Sequence, residues 1–183
     1  MSIEMAGDRD VDGICSVMES VSREIHDPGV FYADDRQFIS DHITSCGFTL
    51  KACVDGGIVG FLIVRYPGDA EDNLGRDIGL GPEELDSVFH IESVAILPEY
   101  RGHGLQRCLV AEGEAIAARD GRRFALATVS PVNRYSLDNM LVLGYSIVTT
   151  CPKYGSTRHI LRKDLLRKPR HGWLPSRETV IST

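Results

Sequence analysis

Val88-Phe89-His90-Ile91-Glu92-Ser93-Val94-Ala95-Ile96-Leu97 runs into Pro98-Glu99-Tyr100 and then into Arg101-Gly102-His103-Gly104-Leu105-Gln106-Arg107. The segment from Val88 to Leu97 is largely apolar, which predicts a central strand buried on both faces. Pro98 ends it, because proline cannot donate to a strand ladder. The two glycines then allow a turn in which backbone N–H groups converge with no side chain in the way. Leu105 to Arg119 reads as a helix, with Leu105, Cys108, Leu109, Glu112 and Ile116 along one side and Asp120-Gly121 at its end. A glycine turn that opens a helix is an anion cradle: free N–H groups and the positive end of the helix dipole meet there. Arg101 and Arg107 can add charge from either side. A pyrophosphate suits such a cradle; the other reading is a glycine-bearing turn with no ligand.

Two commoner phosphate loops do not fit. A Walker loop needs Gly-x4-Gly-Lys-Ser/Thr, and no Lys-Ser or Lys-Thr is present here. A dinucleotide fingerprint needs Gly-x-Gly-x-x-Gly after the first strand, whereas this loop lies mid-chain and lacks the third glycine.

Upstream, residues 3–6 read as a short strand. Asp8 or Asp10 can cap a helix from about Val11 to Ile25, in which Ile14, Val17, Met18, Val21 and Ile25 form one stripe; Asp27-Pro28-Gly29 stops it. A second short helix is expected from Asp35 to Ser45, then a strand from Phe48 to Val54, a turn at Asp55-Gly56-Gly57, and a returning strand from Ile58 to Tyr66. Residues 67–87, rich in glycine, proline and acidic residues, read as a long exposed loop that either covers a substrate or is mobile. Downstream, Phe124–Val129 is a strand, Asn133–Leu143 a helix closed by Gly144, and 145–149 with 157–165 a last hairpin across Cys151–Ser156. The expected class is therefore α/β (α+β), with seven strands flanked by helices. Residues 1–165 are read as one domain and 166–183 as a basic tail carrying Arg167, Lys168 and Arg170.

The chain has 183 residues, 43% of them hydrophobic and 25% charged, enough to bury a core. No apolar run approaches a membrane span of about 20 residues, and the acidic start MSIEMAGDRDVDG is no secretory signal. Five scattered cysteines (15, 46, 53, 108 and 151) form no CxxC pair, which argues against a disulfide framework or zinc site and for a cytoplasmic home. Cys108 reads as core, since no partner stands at a spacing suited to a nucleophile. Net charge is −6, yet residues 1–100 carry 6 Lys/Arg against 20 Asp/Glu while residues 101–183 carry 14 against 6. A polyanion suits the basic half and a cationic amine the acidic half. The overall acidic balance argues against nucleic acid.

Residues 88–165 resemble the GNAT N-acetyltransferase superfamily. Its loop pattern Arg/Gln-x-x-Gly-x-Gly/Ala appears as Arg101-x-x-Gly104-x-Gln106, with glutamine in place of the small last residue, and Asn133 and Leu143-Gly144-Tyr145 also match. The resemblance implies the acyl-CoA N-acyltransferase fold, with a mixed, mostly antiparallel seven-stranded sheet. It implies acetyl-CoA as cosubstrate, with no metal. The backbone of Val94, Ala95 and Ile96 would bond the pantetheine arm as an added strand. The loop Arg101, Gly102, His103, Gly104, Leu105, Gln106 and Arg107 would take the pyrophosphate, with Gln106 able to donate to a phosphate oxygen. Asn133 would contact the cosubstrate, and Tyr135 would pack or contact it too. Ser136 would line the cosubstrate or simply cap the helix.

The acceptor would be a small-molecule or peptide amine, and a homodimer is compatible with the family. Strand-four Glu92 and His90, two residues apart and so on one face, are the base candidates; they can equally pair with each other or face solvent. The oxyanion donor would be a backbone N–H near Ile96. At the position of the family's usual acid, a tyrosine, stands Met140, so water would protonate the leaving thiolate. That substitution also leaves open a non-catalytic acyl-CoA-binding or sensor module.

Overall fold

The computed structural model describes residues 1–25 and 34–166. The expected stop at Asp27-Pro28-Gly29 and the basic tail from Arg167 onward lie outside the described residues.

Seven strands form one sheet: β1 (Ser2–Met5), β2 (Gly47–Val54), β3 (Gly57–Arg65), β4 (Val88–Ile96), β5 (Phe124–Val129), β6 (Ser146–Lys153) and β7 (Ser156–Asp164). Their order is β1-β2-β3-β4-β5-β7-β6. Every pairing is antiparallel except β4 with β5. The long apolar strand therefore takes the middle, as its composition demands. Helices α1 (Val11–Glu24), α2 (Arg36–Thr44), α3 (Leu74–Asp77), α4 (Pro82–Leu85), α5 (Leu105–Arg119) and α6 (Arg134–Val142) complete it.

β3 shows how the layers are glued. Phe61 and Ile63 point to the face covered by α1 and α2, where Ile14, Val17, Met18, Val21 and Ile39 meet them. Leu62 and Val64 point to the opposite face, against Leu105, Leu109 and Val110 of α5. All four strand side chains are fully buried, each contributing about 1.5–3 kcal/mol of apolar transfer.

Several boundaries differ from the sequence reading. Asp10 precedes α1, but its carboxylate does not cap the helix; it accepts from the Gly7 N–H at 2.9 Å and from Lys51 Nζ at 2.8 Å. A buried lysine on β2 outcompetes the helix for it. Asp35 does cap α2, accepting from Phe38 N at 2.8 Å. The 67–87 segment is not an open loop. Its helices α3 and α4 bury Leu74 and Leu85, and the buried Asn73 donates to the Gly68 and Leu85 carbonyls. Cys108 is exposed rather than core. The buried stripe of α5 is Leu105, Leu109, Val110, Gly113, Glu114 and Ala117, so Cys108 and Glu112 fall on its outer side. The last hairpin is longer than expected: Cys151, Pro152 and Lys153 belong to β6, and only Tyr154-Gly155 turns.

Candidate active site

The site begins with a register slip. β4 and β5 pair in parallel from Val88↔Phe124 to Ile91↔Ala127 and no further, although β4 continues to Ile96 and β5 to Val129. On its other side β4 pairs Ile91 with Val64 and Ser93 with Ile63, which leaves Glu92 as an extra residue. Such a bulge bends a strand and re-aims its side chains. The bend falls where β4 parts from β5, so the β5-facing backbone edge of Glu92–Ile96 has no strand partner.

A cavity of about 1110 Å³ opens at this split. Glu92, Val94, Ala95, Ile96, Arg101, Gly102, Gly104, Leu105, Gln106, Arg107, Asn133, Tyr135 and Ser136 all line it; His90 and His103 do not. At one end stands the start of α5. Gly102 and Gly104 take φ of +82° and +76°, and a Cβ at Gly104 would come 3.2 Å from Arg107 Nη2. No side chain caps the helix, and its first intrahelical bond is Cys108 N to Gly104 O at 3.1 Å. The N–H groups of Leu105, Gln106 and Arg107 precede that bond and are open to an anion. The loop thus has the donors and the space that a pyrophosphate needs.

Three of these lining residues also make hydrogen bonds within the protein. Arg101 donates Nε to the Ile96 carbonyl at 3.0 Å and reaches Glu24 at 3.3 Å, so it braces the loop against β4 and α1. Gln106 donates to Ser136 Oγ at 3.2 Å and accepts from Asn139 Nδ2 at 3.0 Å, tying α5 to α6. Asn133 caps α6 by accepting from Ser136 N at 3.1 Å. Tyr135 is 90% exposed and does not pack; it stands at the cavity rim. Met140 is buried in the core and borders the cavity, where it offers no proton.

The other end is ionic. Glu92 is largely buried, with His90 Nδ1 3.3 Å from its Oε2 and Arg65 Nη1 at 4.0 Å. His90 is 2% exposed, and its Nε2 accepts the Leu74 N–H at 3.1 Å. With that lone pair taken, the ring carries its proton on Nδ1 and donates it to Glu92. Arg65 is held by Asp72 through two hydrogen bonds of 2.7 and 2.8 Å, which keeps the Asp72 carboxyl below its ordinary range. Asp34, beside Ser93, is pushed up to about 6 by burial, with the Glu92 charge adding to it against the Ser93 hydrogen bond. Tyr154 hangs over this end from the β6–β7 turn; burial and the carboxylates of Glu92 and Asp72 push its phenol up to about 12. Among the described residues no group of three or more His, Cys, Asp or Glu is placed to hold a metal ion.

Sequence reasoning missed Asp34, Arg65, Asp72 and Arg158, all of which line the cavity. Arg158 did leave a signal: it shares a strand face with Ile160, a core residue, and a charge on a buried face is worth a question.

An open mixed sheet, split between two parallel strands with a glycine-led helix start at the split, is the acyl-CoA N-acyltransferase fold. The chain belongs to the acetyltransferase (GNAT) family, whose model matches residues 15–145. Solved structures share the fold. The yncA protein of Salmonella typhimurium, solved with its cofactor acetyl-CoA, is 18% identical with a TM-score of 0.67, covering 97% of this chain and 98% of that one. A GCN5-related N-acetyltransferase from Kribbella flavida is 23% identical with a TM-score of 0.67, covering 90% and 97%. The ribosomal-protein-alanine N-acetyltransferase of Brucella melitensis is 18% identical with a TM-score of 0.69, covering 90% and 100%. No curated protein matches the chain significantly. Among the described residues no helix is long and apolar enough to cross a membrane.

Proposed function

We propose that the protein transfers the acetyl group of acetyl-CoA to a primary amine by direct attack, with both substrates held in one cavity. One observation carries this reading: the bulged Glu92 faces the same cavity as the uncapped start of α5. Acetyl-CoA supplies the activated acyl group as a thioester. The N–H groups at the start of α5 hold its pyrophosphate, and the unpaired edge of Val94–Ile96 holds the pantetheine arm. Glu92 takes the proton from the ammonium. His90 is a positioning residue: its Nδ1–H fixes the carboxylate while its other nitrogen is anchored to the Leu74 N–H. A backbone N–H near Ile96 meets the developing oxyanion. Met140 leaves the thiolate to be protonated by water. The free thiols of all five cysteines support a reducing, cytoplasmic setting.

Glu92→Gln is expected to lower kcat about 100-fold, the scale of a lost general base, with CoA affinity unchanged by calorimetry. Normal turnover would remove Glu92 from that role. The rival reading, an acyl-CoA-binding module without catalysis, rests on Met140. It gains if CoA binds tightly while no amine in a broad panel releases thiol from acetyl-CoA.

A further inference from the structure

Arg158 has no part in that chemistry, and its surroundings are unusual for an arginine. It is 6% exposed, and its Nε is buried with no hydrogen-bond partner. Among the described residues no carboxylate pairs with it. Burial holds its pKa below the ordinary value, and its titratable neighbour among the described residues, the Tyr154 phenol, is uncharged at neutral pH. The other guanidinium at this end of the cavity, Arg65, is already satisfied by Asp72. A buried cation without a counter-charge is costly, and a ligand that supplies the counter-charge removes the cost.

The position of Arg158 says which ligand. It lines the same cavity as Glu92. On β7 it shares a face with Ile160, which packs with Leu74, Val88 and Leu126, and Leu74 is the residue whose N–H meets His90 beside Glu92. Arg158 therefore stands at the ionic end and not at the α5 loop. Tyr154 itself sits in the left-handed region, with φ of 53°, where an aromatic residue is rare. The Tyr154-Gly155 turn is held in place by an ion pair between Lys153 and Asp77 of α3. Among the described residues, the acceptor end thus presents one cation with no carboxylate partner, in the same cavity as Glu92 and Asp34.

We propose that the acceptor is a small zwitterion of the amino-acid type, an amine whose own carboxylate is held by Arg158. This rests on the acetyltransferase reading above. The planar guanidinium takes the carboxylate through paired N–H donors, and the ammonium turns to Glu92. In the transfer, one ammonium proton passes to Glu92, the freed amine nitrogen forms the new C–N bond, and the thioester C–S bond breaks with its electron pair going to sulfur. The second N–H proton, lost as the amide forms, passes through water to the departing thiolate, and Glu92 then returns its proton to solvent. The carboxylate is an anchor and is unchanged.

The test uses the full chain saturated with acetyl-CoA and matched acceptors that differ only by the carboxylate: phenylalanine with phenethylamine, tyrosine with tyramine, lysine with cadaverine. The amino acids are expected to exceed the amines by about 100-fold in kcat/KM, the scale of a buried charge pair, with most of the gap in KM. Arg158→Gln should collapse that ratio to about 1 and Arg158→Lys should restore part of it, as expected for one lost charge-assisted contact. A wild-type ratio near 1, or a ratio that survives Arg158→Gln, overturns the proposal. A cooperative thermal melt of each variant excludes misfolding. If no amine is acetylated although CoA binds, the acetyltransferase reading fails on its own. The anchor is then read by calorimetry on the CoA-loaded protein, comparing N-acetylphenylalanine with N-acetylphenethylamine. Tighter binding of the acid, lost in Arg158→Gln, supports the anchor; equal binding overturns it.

Discussion

Asp34 shows how the cavity shapes a single residue. Its carboxyl is raised to about 6, first by burial and then by the neighbouring Glu92 charge. Its folded-state pKa lies above its unfolded one, so the folded state holds a proton that the unfolded chain releases. The sign follows: stability is greatest below the unfolded value and falls as pH rises through about 6. Asp34→Asn should flatten the pH dependence of Tm between about 4 and 6 and raise Tm at neutral pH. Identical profiles for the two proteins would contradict this. Asp10 runs the opposite way: Lys51 and the Gly7 N–H lower its pKa, so its contribution is present at neutral pH and lost as acid titrates it. Asp10→Asn leaves Lys51 buried without its close partner and should cost about 3 kcal/mol in denaturant unfolding. None of this was legible locally. Asp34 looks like any acid before a helix, and Asp10 like a cap, because pairing with Lys51, 41 residues away, is a matter of the fold.

Elements fared better, since periodicity speaks to them directly. Six of the seven strands and the four longer helices stand close to where alternation and spacing put them, and β6 runs on past its expected end. The exception is 67–87, whose glycines, prolines and acids give the pattern of an open loop and hide two single-turn helices. The first of them is held by Leu74, which packs on Val88, Phe124, Leu126 and Ile160 and gives its N–H to His90, and by the ion pair of Asp77 with Lys153. Gln106 is the element-scale departure with a reason: the larger side chain bridges α5 to α6 through Ser136 and Asn139. Gln106→Ala should cost about 1 kcal/mol and raise the KM for acetyl-CoA. Hydrogen exchange should quicken across residues 134–142. Unchanged exchange there would deny the bridge a structural role.

At the scale of the molecule, the acidic front half and the basic back half meet at the split sheet. The basic loop faces one end of the cavity, and carboxylates from three separate segments face the other. Binding at so central a place should stabilise the whole fold. Acetyl-CoA at about 100 times its Kd should add about 2.7 kcal/mol, or about 5–10 °C in Tm for a domain of this size. An unmoved Tm in differential scanning fluorimetry at saturating acetyl-CoA would count against the cavity as its binding site.

The segment from Val88 to Arg107 determined by itself the central strand, the glycine turn, the helix start and hence the family, because each depends on neighbours a few residues away. Only the tertiary structure decided what those parts do together. The bulge at Glu92 exists because β3 and β4 settle into a shifted register, and His90 turns its Nδ1 to Glu92 because the Leu74 N–H takes its other nitrogen. Arg158 lost its solvent, and its Nε gained no partner among the described residues, because β7 turns that face inward with Ile160. Local order follows from short-range sterics and hydrogen bonds. The charges a site leaves unpaired follow from long-range packing, and those are what choose the substrate.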